Sequence, residues 1–134
     1  DIAAETSKTP LDLTQITALQ QGKTGALIKW SALAGPRMAE ADCAPLAQYA
    51  DALGLAFQIA DDILDIEGDA ATVGKATGKD ANAGKATFVS LLGLDGAKRR
   101  ANSLVQTAQD ALSVYGADAD ALRETAQFVI ARKT

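Results

Sequence analysis

Three carboxylates crowd one short stretch of an otherwise apolar run, Phe57-Gln58-Ile59-Ala60-Asp61-Asp62-Ile63-Leu64-Asp65. Residues three and four apart share a helix face, so Gln58, Asp61, Asp62 and Asp65 read as one stripe. Asp61 and Asp65, four apart, repel each other and cost a bare helix roughly a few tenths of a kcal/mol. The neighbours Leu53, Leu55, Phe57, Ile59, Ile63 and Leu64 predict that much of this helix is buried. Carboxylates there need a cation, or their pKa values rise. Hard oxygen donors at this spacing suit Mg2+, which keeps waters and bridges to phosphate oxygens, with Mn2+ as the second choice. Taken alone, Asp-Asp-x-x-Asp reads equally well as a metal site or as a solvated acidic face. An EF-hand is excluded, because Ala70 stands where the loop glycine belongs and Ala76 where the closing glutamate belongs.

Glycine-lysine pairs follow: Gly74-Lys75, Gly78-Lys79-Asp80 and Gly84-Lys85-Ala86-Thr87. Glycine lets the backbone approach an anion and lysine adds a point charge for phosphate. The spacing is not that of a P-loop. Upstream, Lys23-Thr24 adds a cation and a hydroxyl between Gly22 and Gly25. Each lysine by itself reads as an ordinary solvated side chain. Carboxylates for a metal together with several lysines suggest a diphosphate held from two sides.

Composition narrows the chemistry further. The chain of 134 residues carries a net charge of -4 and no histidine. The charge gives no support for a nucleic-acid partner. The missing histidine removes the common nucleophile-activating triads and most zinc sites. Cys43 is the only cysteine, so no intrachain disulfide can form, and a reducing, cytoplasmic compartment fits. No apolar run approaches the length that spans a membrane. The opening Asp1-Ile2-Ala3-Ala4-Glu5 has neither a methionine nor a basic and apolar leader. A chain cut from a longer protein is expected.

Alanine and leucine dominate the apolar residues and aromatics are sparse (4%), which predicts an all-α chain of antiparallel helices. Residues 1–6 read as the tail of a helix and Ser7 to Pro10 as a break. Leu11 to Ala34 has helical spacing, with a kink or a close approach expected at Gly22 and Gly25, and Gly35-Pro36 as its end. A second long helix is expected from Pro45 to Gly68, then a loop over residues 69–86. Thr87 to Leu92 reads as a short helical turn. Asp95 to Tyr115 reads as a helix closed by Gly116. Asp118 reads as the cap of a last helix ending in Arg132 and Lys133, where cations suit the dipole.

Taken together, these segments resemble the trans-isoprenyl diphosphate synthases, especially the short-chain bacterial farnesyl or geranyl diphosphate synthases. The matching pieces are Lys23-Thr24-Gly25-Ala26-Leu27, Gly54 through Asp65, Gly74-Lys75, Gly78-Lys79-Asp80, Lys85-Ala86-Thr87 and Leu91-Leu92-Gly93. The resemblance implies an isoprenoid-synthase fold, of which residues 1–134 are the C-terminal portion of a single prenyltransferase domain. It implies that Asp61 binds a magnesium ion bridging to an allylic diphosphate, with Asp62 and Asp65 in support. It implies that Lys23 and Lys75 contact the diphosphate, that Thr24 and Gln58 line the allylic pocket, and that Phe57 lies against the isopentenyl chain. Lys85 is the second loop lysine of the family's pattern, and Lys79 falls at a position that pattern does not fix. The implied reaction joins an allylic diphosphate to isopentenyl diphosphate, and a homodimer is the implied assembly.

The family's first aspartate-rich motif and isopentenyl-diphosphate basic residues have no equivalent here. The 134 residues alone are therefore expected to be inactive and to self-associate through uncovered apolar faces. Three other readings stand beside the enzyme: a complete small helical bundle without catalysis, a non-catalytic prenyltransferase-like subunit, and a terpene cyclase of the same fold. Intact Asp61, Asp62 and Asp65 weigh against the subunit, and the lysines weigh against the cyclase.

Overall fold

Helix formation starts at Asp12, whose carboxylate accepts the Gln15 N–H at 2.8 Å while the Asp12 N–H donates to the Gln15 side chain at 3.0 Å. This reciprocal cap satisfies two backbone donors that a helix start leaves open. The computed structural model describes residues 11–73 and 87–132. Helix α1 (Leu13–Gln20) runs through a π-helical turn (Gln21–Gly25) into α2 (Ala26–Met38). Helices α3 (Ala44–Val73) and α4 (Phe88–Ala111) follow, then a 3-10 segment (Ser113–Ala119) and α5 (Asp120–Ala131). Among the described residues there is no strand, so the all-α expectation holds.

The helix ends differ from those expected. Gly35 and Pro36 lie inside α2, which continues to Met38. The left-handed residue that turns the chain is Glu40, with φ 53°. Proline is tolerated because it falls in the last turn, where one lost N–H bond frees a single carbonyl. Gly68 does not stop α3 either, and the helix reaches Val73 before any loop. Asp118 is not a cap; α5 begins after Ala119 without a side-chain cap, and Asp120 in its first turn pairs with Arg123 at 2.6 Å. The turn from Thr87 is as expected. Thr87 accepts the Ser90 N–H at 3.1 Å, and Gly93 at φ 71° separates the first turn of α4 from the rest. The α-helix then closes at Ala111, four residues short of Tyr115, and Gly116 takes its positive φ of 57° within the 3-10 segment.

Helix α3 is the centre of the packing, and each of the other described helices touches it. Its Ala56, Ile59, Ala60 and Ile63 meet Ala97, Ala101, Leu104 and Ala108 of α4 in one buried cluster. Alanines on facing surfaces let two helix axes come close, which is why so few aromatics suffice for a core. Phe88, Ile16, Ile59 and Leu112 are the largest side chains that are wholly buried. Tyr49 closes the far end of α3, its hydroxyl donating to the Leu122 carbonyl of α5 at 3.0 Å. Burial there pushes the Tyr49 phenol up from its ordinary pKa.

The expected close approach at Gly25 is present. A Cβ on Gly54 of α3 would sit 3.1 Å from the Gly25 Cα. This glycine pair seats the π turn, with Lys23 and Thr24, directly against α3. By contrast, only Ile16 and Leu33 are buried between Leu13 and Met38, while Leu27 and Trp30 are each 66% exposed.

Candidate active site

The site is laid out along one side of α3. Gly54, Gln58, Asp61 and Asp65 follow at intervals of four, three and four, which keeps them on one helix face. Gly54 at the head of this face carries the π turn, so Lys23 and Thr24 enter one helical turn before Gln58. From Gly54 to Asp61 is about 10 Å along the axis. Gln58 and Thr24 are half-buried, Lys23 is exposed, and Asp65 is exposed at the open end. The helix is unbroken across all of these positions, as the carboxylate spacing requires.

The three aspartates have different partners. Successive residues on a helix are about 100° apart, so Asp62 turns away from the stripe that holds Asp61 and Asp65. Its carboxylate accepts the Phe88 N–H, the first amide of α4, at 2.7 Å. That amide is one of the donors a helix start cannot satisfy internally, and a negative charge suits that end of the dipole. Burial pushes the Asp62 carboxyl above its ordinary pKa; the Phe88 N–H opposes this, and Asp65 and Asp61 add to the rise. Asp61 faces the other way and pairs with Arg132 at the end of α5. The Arg132 guanidinium also lies over the Phe57 ring, 4.3 Å from its centroid. The Phe57 ring is half-buried beneath this guanidinium. Among the described residues no three acidic, cysteine or histidine side chains gather into one metal-holding group. In this structure Asp61 is paired with Arg132, Asp62 is bonded to the start of α4 and Asp65 is exposed, all three within two turns of one helix.

Carboxylates on one short stretch of helix fit magnesium. That ion is commonly held by one or two carboxylates, with waters and substrate phosphates filling the rest of its octahedron. The Asp61 side chain is 43% exposed, so an oxygen can be reached from solvent. Lys75 and Lys85, with Lys79, lie outside the described residues. Arg132 had been read from the sequence only as a cation completing a helix dipole. Its partner is 71 positions away, and no local spacing points to it.

Asp62 gives a direct test of this division of labour. In Asp62→Ala the Phe88 N–H loses its charged acceptor, and a loss of about 1–3 kcal/mol is expected. Asp62→Asn keeps an oxygen for that N–H and removes the desolvated charge. Because the folded-state pKa is raised, this group stabilises fully below the ordinary carboxylate pKa, and that contribution is lost as pH rises through the raised value. Asp62→Asn should therefore lose the stability that the parent gains on acidification through this window, steepening the fall at low pH, and be at least as stable as the parent at neutral pH. Urea denaturation across a pH series measures both. Equal losses for Asp62→Ala and Asp62→Asn would remove the anchoring role.

The comparisons with known proteins agree with this helical frame. Residues 1–123 match the polyprenyl synthetase family model. The farnesyl diphosphate synthase of Haemophilus influenzae is 41% identical over 129 residues, covering 92% of this chain and 43% of that enzyme. The Escherichia coli farnesyl diphosphate synthase is 38% identical, covering 98% of this chain and 46% of its own length. The chain thus spans less than half the length of these curated relatives. Among solved structures, an FPP/GFPP synthase from Zymomonas mobilis superposes with a TM-score of 0.82 at 47% identity, over 96% of this chain and 42% of that one. A geranyltransferase from Helicobacter pylori, solved with magnesium and isoprenyl diphosphate, gives a TM-score of 0.66 at 31% identity, over 92% of this chain and 42% of that one. With a family match running almost from end to end, and a helical frame shared with enzymes of that kind, the chain belongs to the polyprenyl synthetase family.

Proposed function

We propose that this chain serves a magnesium-dependent prenyltransferase that condenses an allylic diphosphate with isopentenyl diphosphate into a short-chain polyprenyl diphosphate, farnesyl diphosphate first among them. The observation that carries the reading is the unbroken α3 presenting Gln58, Asp61 and Asp65 on one face, in a chain 41% identical to a farnesyl diphosphate synthase. Similarity alone would fit a subunit that had lost its chemistry. An intact carboxylate pair on a buried helix favours a working site.

Each residue then has a task. Asp61, with Asp62 and Asp65 in support, would hold the metal, which when bound supplies positive charge against the diphosphate leaving group. Lys23 and Lys75 contact the same diphosphate, and Lys85 adds further positive charge. Thr24 and Gln58 line the allylic chain near its reacting carbon, and Phe57 lies beside the isopentenyl group. The allylic carbon–oxygen bond breaks with its electron pair leaving on the diphosphate. The isopentenyl double bond then attacks the allylic carbon, and a proton leaves to restore the alkene. The fixed charges are complementary to the separated ion pair rather than to the intact substrate, which is where catalytic stabilisation counts. A homodimer is part of the same reading.

The test is prenyl transfer in the protein carrying this chain, with radiolabelled isopentenyl diphosphate and geranyl diphosphate, read by chain length of the product. Magnesium-dependent formation of farnesyl diphosphate is expected. No transfer from any allylic diphosphate would overturn the enzymatic reading. The 134 residues by themselves are expected to give no turnover.

A further inference from the structure

We propose that Arg132 is a resident counter-ion for Asp61, and that a divalent cation binding at Asp61 must displace it, so that metal binding and release of the end of α5 are one equilibrium. This rests on Asp61 being a metal ligand, as proposed above. Phe57 and Asp61 are four apart on α3 and together grip one guanidinium between a ring face and a carboxylate. The grip is tight enough to leave the Arg132 side chain only 18% exposed, although it stands at the exit of the last described helix. It is also incomplete. The Arg132 Nε is buried and has no hydrogen-bond partner among the described residues. A guanidinium has five N–H donors in a fixed fork, and here one nitrogen donates to one Asp61 oxygen. A desolvated arginine with an orphan donor is held less firmly than a filled bidentate pair.

Exchange follows from space and charge. A magnesium ion sits about 2.0–2.1 Å from its oxygen ligands, closer than any guanidinium nitrogen can approach. Two cations cannot share the Asp61 oxygen at those distances without strong repulsion. The Asp61 and Asp65 carboxylates repel each other unless a cation lies near, and Arg132 fills that need while no metal is present. Magnesium or manganese fills it with twice the charge. The arginine thus keeps the carboxylate face neutralised and ordered, and sets a threshold that a weakly held ion must exceed.

The test uses Mn2+ alone, titrated by calorimetry into the protein carrying this chain and into its Arg132→Gln, Arg132→Lys and Asp61→Asn variants. Arg132→Gln is expected to bind Mn2+ about tenfold more tightly, within the ordinary range of coupling between two sites. Arg132→Lys should stay near the parent, because it keeps the competing charge. Asp61→Asn should bind more weakly, and adding Arg132→Gln to it should change nothing. A merely structural role for Arg132 would weaken metal binding on its loss, not strengthen it. A second readout is trypsin cleavage after Arg132, followed by mass spectrometry, which Mn2+ should accelerate in the parent and leave unchanged in Asp61→Asn. If Arg132→Gln binds Mn2+ no more tightly while Asp61→Asn binds it less, the counter-ion role is overturned and Asp61 remains a ligand. If neither variant alters Mn2+ binding, the metal assignment of Asp61 fails, and the counter-ion role with it.

Discussion

Replacing Asp61 by alanine in the protein carrying this chain is expected to lower kcat about 10²–10³-fold, the scale on which losing one preorganised charge-stabilising contact acts. The expected change in KM is much smaller. Asp61 sits on α3 with its side chain partly exposed, and the diphosphate of the proposed substrate is already charged in the ground state. The charge that develops as the carbon–oxygen bond breaks is what an ion at Asp61 would meet most strongly. Loss of an interaction made mainly in the transition state lowers kcat and kcat/KM together, whereas loss of uniform binding raises KM alone. Steady-state kinetics at saturating magnesium separates the two. An unchanged kcat would take Asp61 out of the reacting site. The Asp65→Ala variant should follow the same pattern, and Asp62→Ala should instead appear first in stability, because its carboxylate is engaged with α4.

That contrast between neighbouring aspartates marks the limit of what the sequence can tell. The helical frame was legible because its signals are local: alanine and leucine content, an apolar repeat around Ile59 and Ile63, and a short helical turn from Thr87. The long α3 was legible for the same reason. Helix ends were less so. Gly35, Gly68 and Asp118 have the chemistry of stops and caps, but α2 and α3 continue past the first two and the third is unused, while Glu40 takes the left-handed turn. Such stop signals act on the order of only 1 kcal/mol. The site was half legible. Spacing put Asp61 and Asp65 on one face, yet whether Asp62 belonged with them depended on where the start of α4 lay. The Arg132 contact depended on where α5 ended.

Replacing Phe88 by alanine should be the most damaging single change to the fold, at about 3–5 kcal/mol. Phe88 is 1% exposed and is the largest of the wholly buried side chains. Its backbone N–H is also the group that binds Asp62, so one residue joins the core to the back of the carboxylate helix. The first turn of α4 is short, cut from the rest by Gly93, and cannot hold itself in place by helix propensity. What fixes it is the ring of Phe88 in the core, the Thr87 cap and the Asp62 bond. Removing the ring leaves a cavity in the core cluster only if the turn stays put; if it moves, the Asp62 acceptor is lost instead, and either route is costly. Ile59→Ala, a wholly buried site on α3 with no such bond, should cost about 2–5 kcal/mol and leave Asp62 engaged. For a domain whose whole stability is of order 5–15 kcal/mol, either loss is large. The two variants are told apart by combining each with Asp62→Ala in urea denaturation. Phe88→Ala and Asp62→Ala should be less than additive, because the first already weakens the bond removed by the second, whereas Ile59→Ala and Asp62→Ala should add. Strict additivity in both cycles would mean that the ring and the amide of Phe88 act independently, and that Asp62 does not depend on the core for its position.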